Sequence, residues 1–185
     1  MEKKLISAKT FAAIGIGSVL MFVLNHFAAI PTWVPGTNFM PGMAILAAFS
    51  AIFGPVAGFF IGFAGHFLVD LTGNFGRVWW SWILSSALFG LGVGSCWKMY
   101  HTEDGVFGIK QALIFNCVQI AANILAYIFI SRALSLIFYQ ELLSKLTLMG
   151  FVATGFNIAV VLIAGTLLIA IYTKIIQKTG SQKKE

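Results

Sequence analysis

The chain has 185 residues, 59% of them hydrophobic and 10% charged, with a mean hydropathy of +0.91. A soluble globular domain carries about 25% charged residues, so the composition excludes that class and describes an integral membrane protein. The net charge of +6 comes mainly from lysines gathered toward the two ends, with no basic stripe interleaved with aromatics, which argues against nucleic acid and for membrane topology.

At this length several spans of ~20 residues pack as one membrane domain, residues 1–185. The N-terminal MEKKLISAKTFAAIGIGSVLMFVLNHFAAI has the charged-then-apolar order of a signal peptide, but its apolar run is too long for one. It reads as an uncleaved first helix from Ser7 to Ala29, stopped by the Ile30-Pro31 step. Ala8 and Ala12 form a small-residue pair four apart, followed by Gly15 and Gly17, which serves either internal packing or docking of another membrane subunit. The loop PTWVPGTNFMPG joins Trp33, Asn38 and Phe39 to Pro31, Pro35 and Pro41, a stiff aromatic and polar segment that reads as the lid of a pocket.

A short second helix, Met43 to Phe53, ends at Gly54-Pro55, and a third runs to about Thr72. Gly54, Gly58 and Gly62 step by four along the third, and Ser86, Gly90 and Gly94 do so along a fourth from Val78 to Tyr100; both rows predict close helix contacts. His66 and Asp70 lie four apart on one face of the third helix, with Arg77 in the loop beyond. A carboxylate in a span must be paired or face water or protein, so His66, Asp70 and Arg77 are read as a clamp on the corner between helices three and four or as ligand contacts. Two such groups without further donors do not make a metal site.

Trp79, Trp80 and Trp82 open the fourth helix, either as an interfacial belt or as a pocket wall. The fifth helix, Phe107 to Ser131, carries Asn116, Gln119, Asn123 and Tyr127 on one stripe, which must turn away from lipid and is expected to line a cavity. Asn157, in a sixth helix from Leu148 to Ile176, is expected to face the same space. Cys96 and Cys117 have no paired or metal-ligand spacing and read as small packing residues.

Six spans with both termini cytoplasmic put nine lysines inside: Lys3, Lys4 and Lys9 before or in the first helix, Lys98 and Lys110 between the fourth and fifth, and Lys174, Lys178, Lys183 and Lys184 at the C-terminus. Only Arg77, Arg132 and Lys145 then lie outside, which satisfies the positive-inside rule. No phosphate-cradling loop, zincin pattern or nucleophile beside a base is present, and no cofactor is expected. A membrane enzyme using His66 and Asp70 as an acid-base pair would lack a nucleophile and a third metal ligand. A stand-alone proton-coupled carrier using Asp70 is the other alternative.

IPTWVPGTNF, then AIFGPVAGFFIGFAGHFLVD, then WWSWILSSALFGLGVG resemble the substrate-binding S components of energy-coupling factor (ECF) vitamin transporters, in their riboflavin-transporter-like group. The resemblance covers residues 5–100 through these motifs and the rest through span count and length. It implies an all-α, six-helix, multi-pass protein of the bacterial cell membrane. Such a protein is not itself an enzyme: it captures a water-soluble vitamin outside and delivers it by toppling, docked on one transmembrane coupling protein and two ATPases. It further implies that Ala8 and Ala12 contact the coupling protein, and that the pocket lies near the outer face, between loop one and helices four to six. Trp33, Asn38, Phe39, Trp79, Trp80, Asn116, Gln119, Asn123, Tyr127 and Asn157 are the expected substrate contacts. Amides and tryptophans with few buried charges suit a neutral ring compound. Pyridoxine or hydroxymethylpyrimidine is the favoured substrate, with riboflavin or cobalamin as alternatives.

Overall fold

The computed structural model describes residues 7–73 and 77–182; the lysines at 3, 4, 183 and 184 and the loop residues 74–76 lie outside it. Helix α1, Ala8–Phe27, begins where the Ser7 hydroxyl accepts the Thr10 N–H at 3.1 Å. The chain then folds back in a two-residue antiparallel ladder, Ile30–Pro31 against Asn38–Phe39. Helices α2 (Gly42–Phe53), α3 (Pro55–Thr72) and α4 (Trp80–Ser95) follow, α4 continuing into a 3-10 turn over Trp97–Tyr100. Two long helices complete the chain: α5, Ile109–Tyr139, and α6, Leu143–Thr179. Each contains a wider π stretch, Ile124–Ile130 in α5 and Val161–Gly165 in α6. The protein is therefore all-α; α1, α3, α5 and α6 are long and apolar enough to cross a membrane, while α2 and α4 are shorter.

The boundaries differ most at the fourth to sixth helices. The fourth stops its α-helical turns at Ser95, short of the expected Tyr100, and tightens into the 3-10 turn. The fifth passes the expected end at Ser131 and runs on to Tyr139, because Arg132 reaches Thr147 Oγ1 at 3.4 Å and Ser135 bonds Ser81 Oγ at 2.7 Å. A charge and a polar serine thus extend the helix by finding partners across the bundle. The sixth likewise starts at Leu143, five residues before the expected Leu148.

Close backbone approach sets the packing. A Cβ at Gly58 would meet the Gly90 carbonyl, one at Gly62 the Ser86 carbonyl, and one at Gly94 the Gly54 and Pro55 backbone. The two rows of small residues therefore face each other, and α3 lies directly on α4. Helix α1 joins this pair through Gly65, whose Cβ would fall 2.8 Å from Met21 Sδ, and through Gly17 against Ile61. Helix α2 is enclosed: only Phe49 and Phe53 of its 12 residues are less than fully buried. Its first turn is held to α1 by Gly42 N–H donating to buried Asn25 Oδ1 at 2.7 Å. Length this short and burial this complete are those of a core helix.

The bundle has two unlike ends. At one, Lys9 sits over the Phe53 ring, Thr102 Oγ1 donates to the Ala51 carbonyl at 3.3 Å, and Gln177 donates to the Gly105 carbonyl. Lys98, Lys110, Lys174 and Lys178 belong to this end by their positions in α4 to α6. The opposite end holds the hairpin, the α3–α4 corner and the α5–α6 turn. Cys96 and Cys117 are both free.

Candidate substrate-binding site

At the end opposite the lysine-rich one a cavity of about 350 Å³ lies between the hairpin loop and helices α2 to α6. Its volume is near the lower limit of ~300 Å³ usual for small-molecule sites. Trp79 and Trp82, three apart at the start of α4, present one aromatic wall. Met40, Met43, Met149 and Ala153 supply soft apolar surface from the loop, α2 and α6. The polar lining is Thr37 and Asn38 from the loop, His66 and Asp70 from α3, Tyr127 from α5 and Asn157 from α6.

The loop is ordered by its own hydrogen bonds. Thr32 donates both its N–H, at 3.0 Å, and its hydroxyl, at 2.8 Å, to the Thr37 carbonyl, and Gly36 takes a left-handed φ of 77° that turns the chain back. This places Thr37 and Asn38 at the cavity and Trp33 outside it. Trp33 is 75% exposed with its edge toward Phe156, and Phe39 meets the same ring. Thr37 Oγ1 is buried without a partner, and no side-chain hydrogen bond engages Asn38 or Asn157 among the described residues. Unsatisfied polar groups around a mostly apolar space are the composition of a ligand site.

His66 and Asp70 share the α3 face expected of them and reach the cavity from its last turns. Asp70 Oδ2 accepts the Trp79 N–H at 2.8 Å, so the carboxylate caps the start of α4. His66 Nε2 lies 3.7 Å from Asp70 Oδ1, and His66 Nδ1 shares a 2.6 Å hydrogen bond with Ser86 Oγ. Ser86 continues to the Tyr127 hydroxyl at 2.7 Å, tying α3, α4 and α5 together beneath the cavity. Arg77 does not join the corner through Asp70. Its guanidinium bonds Glu141 at 2.7 Å and covers the Trp79 and Tyr139 rings at 4.0 and 4.3 Å. Lys145, bonded to the same carboxylate at 2.9 Å, acts with Arg77 to hold Glu141 below the usual carboxylate range.

Three amides expected at the cavity lie elsewhere. Asn116 donates to Thr166 Oγ1 at 3.0 Å, Gln119 to Asn116 Oδ1 at 3.3 Å, and Asn123 to Gln119 Oε1 at 3.0 Å. The stripe turns inward, as lipid requires, but its amides bond one another along α5 and Thr166 on α6, leaving Asn123 Oδ1 buried without a partner among the described residues, and only Tyr127 at its end reaches the cavity. Trp80 faces outward, 44% exposed and stacked on Phe67. Trp82 lines the cavity as a pocket wall, one of its two expected roles, though it was not among the expected substrate contacts; Thr37 and the methionines line it without having been singled out. Trp82 was legible as the i+3 neighbour of Trp79; flexible methionines carry no such signal.

Ser86, His66 and Asp70 have the members of a nucleophile relay, yet Ser86 is fully buried and its hydroxyl is shared between His66 and Tyr127. It does not line the cavity, so no substrate carbonyl reaches it. The arrangement ties α3, α4 and α5 together and leaves Ser86 away from the cavity.

Comparison with known proteins agrees. The model of the family described as "ECF-type riboflavin transporter, S component" matches residues 5–174. Curated relatives named "UPF0397 protein" include that of Lactobacillus helveticus (strain DPC 4571), 42% identical over the whole of both chains. Those of Clostridium perfringens (strain SM101) and Staphylococcus aureus (strain JH9) are 40% and 39% identical, again over the full length of each. No solved structure gives a significant match. With an all-α membrane bundle, a cavity at one end and a family match over nearly the whole sequence, the chain belongs to the ECF-type riboflavin transporter S component family of bacterial membrane proteins.

Proposed function

We propose that the cavity beneath the hairpin loop binds a one- or two-ring, water-soluble vitamin or vitamin precursor from the outer side of the membrane. As an S component, the chain is the substrate-binding membrane subunit of an ECF transporter, in general a non-enzymatic role, and works with ATPases and a transmembrane component. The observation that carries the finer reading is the cavity of about 350 Å³ with tryptophans on one wall and unpartnered Thr37, Asn38 and Asn157 around it. A ring stacks on Trp79 or Trp82 while the amides and the Tyr127 hydroxyl bond its edge. The volume suits a pyridine, pyrimidine or flavin ring system better than a corrinoid, which is several times larger. The lysine-rich end supports an outward cavity, since positive charge favours the cytoplasmic side. Ala8 and Ala12, both exposed on α1, are the proposed contact for the transmembrane component.

The test is calorimetry and thermal shift of the purified protein against riboflavin, pyridoxine, pyridoxamine and hydroxymethylpyrimidine, repeated with Trp82→Ala and Asn157→Ala. At least one compound should bind, and each substitution should weaken it by about tenfold, the worth of one stacking or amide contact. Affinity unchanged in both variants would displace the site from this cavity.

A further inference from the structure

Building on that reading of the cavity, we infer that Asp70 selects the ligand: the bound compound turns an amine or other N–H donor toward Asp70 Oδ1. The carboxylate is buried at the cavity, and its two oxygens are used differently. Oδ2 is committed to the Trp79 N–H at 2.8 Å. Oδ1 accepts no hydrogen bond among the described residues; its nearest partner, His66 Nε2, stands at 3.7 Å, beyond hydrogen-bond length.

The nearby cation is engaged elsewhere. Arg77 follows Asp70 by seven positions, but its guanidinium is bonded to Glu141 and stacked between Trp79 and Tyr139. His66 is held from its other side by Ser86 at 2.6 Å, which fixes the ring and keeps Nε2 from closing on Oδ1. A carboxylate offers only acceptor lone pairs, so an oxygen left open inside an apolar enclosure calls for a donor from outside the protein. Thr37, which lines the same space, likewise has a buried hydroxyl with no partner among the described residues. Among the cavity-lining residues Asp70 and His66 are the only ionisable side chains besides the Tyr127 phenol, so no fixed cation is present to receive a ligand carboxylate or phosphate. The site therefore suits a weakly basic ring amine and rejects anionic forms of the same ring.

Two matched pairs test this on the full-length protein. Pyridoxamine and pyridoxine differ by an aminomethyl in place of a hydroxymethyl group, and 4-amino-2-methylpyrimidine and 2,4-dimethylpyrimidine by an amine in place of a methyl. In at least one pair the amine should bind at least about tenfold tighter, the margin of a charge-assisted hydrogen bond over the weaker one a hydroxyl donates or over none from a methyl. Asp70→Asn keeps an oxygen for the Trp79 N–H and should bring that pair to within about threefold. Equal affinities in both wild-type pairs, tighter binding of the partner lacking the amine, or a preference that survives Asp70→Asn overturns the inference. The wild-type comparison decides without the variant if Asp70→Asn does not accumulate. Binding of riboflavin alone, sensitive to Trp82→Ala but unchanged by Asp70→Asn, would overturn the role of Asp70 and leave the cavity reading standing. Binding of none of these compounds would overturn both.

Discussion

Asn123 shows how one residue's role changes once its neighbours are known. From the sequence it belongs to a polar stripe that must avoid lipid, and a substrate cavity is one way to do so. In the structure its amide donates to Gln119 Oε1 and to the Gln119 carbonyl, within a ladder that continues to Thr166. Asn123→Ala is therefore expected to lower thermal stability by the ~0.6 kcal/mol typical of membrane side-chain hydrogen bonds. Ligand affinity measured by calorimetry should stay unchanged; a large loss of affinity would return the stripe to the binding site. His66 and Asp70 were legible because two ionisable groups four apart in an apolar helix have few reasons to exist. Arg77 was legible only as a charge near that corner. Its pairing with Glu141, 64 positions on, is a tertiary fact that no local spacing encodes.

Among the elements, the contact between α3 and α4 followed most directly from sequence, because small residues at every fourth position leave little else for those faces to do. Helix ends were less legible where charges or serines found distant partners, as Arg132 and Ser135 do. Glycine at the contact is a steric requirement, which two substitutions separate from helix propensity. Gly58→Leu sets its side chain against the Gly90 backbone, which cannot rotate away, and should destabilise by about 3 kcal/mol, the upper range for overpacking. Gly155, on α6, has nothing within 4 Å of its would-be Cβ, so Gly155→Ala should stabilise by about 0.5–1 kcal/mol. Thermal unfolding in detergent measures both; similar shifts for the two would remove the special status of the α3–α4 contact.

For the whole molecule, the separation of a lysine-rich end from a cavity end was legible as charge asymmetry, and a pocket under loop one was expected, whereas its full lining was not, since it is made by a loop and five helices converging. The small-residue face of α1 remains available: Ala8, Ala12 and Gly15 are exposed, and nothing lies within 4 Å of a Cβ placed at Gly15. Replacing Ala8 and Ala12 together with leucine should abolish uptake by cells supplied with the coupling module while the purified variant keeps its ligand affinity. Normal uptake, or loss of binding, would show that the face does not serve docking. The close contact of α3 on α4 has a mechanical consequence. Where backbone meets backbone there are no side chains to re-pack, so the two helices move as one stiff beam. Helix α1 bears on that beam through Gly17 at Ile61 and Met21 at Gly65, and the beam's outer end, just beyond Gly65, carries Asp70 and the Trp79 amide. A tilt imposed on α1 from outside then bears directly on the element that carries the mouth of the cavity.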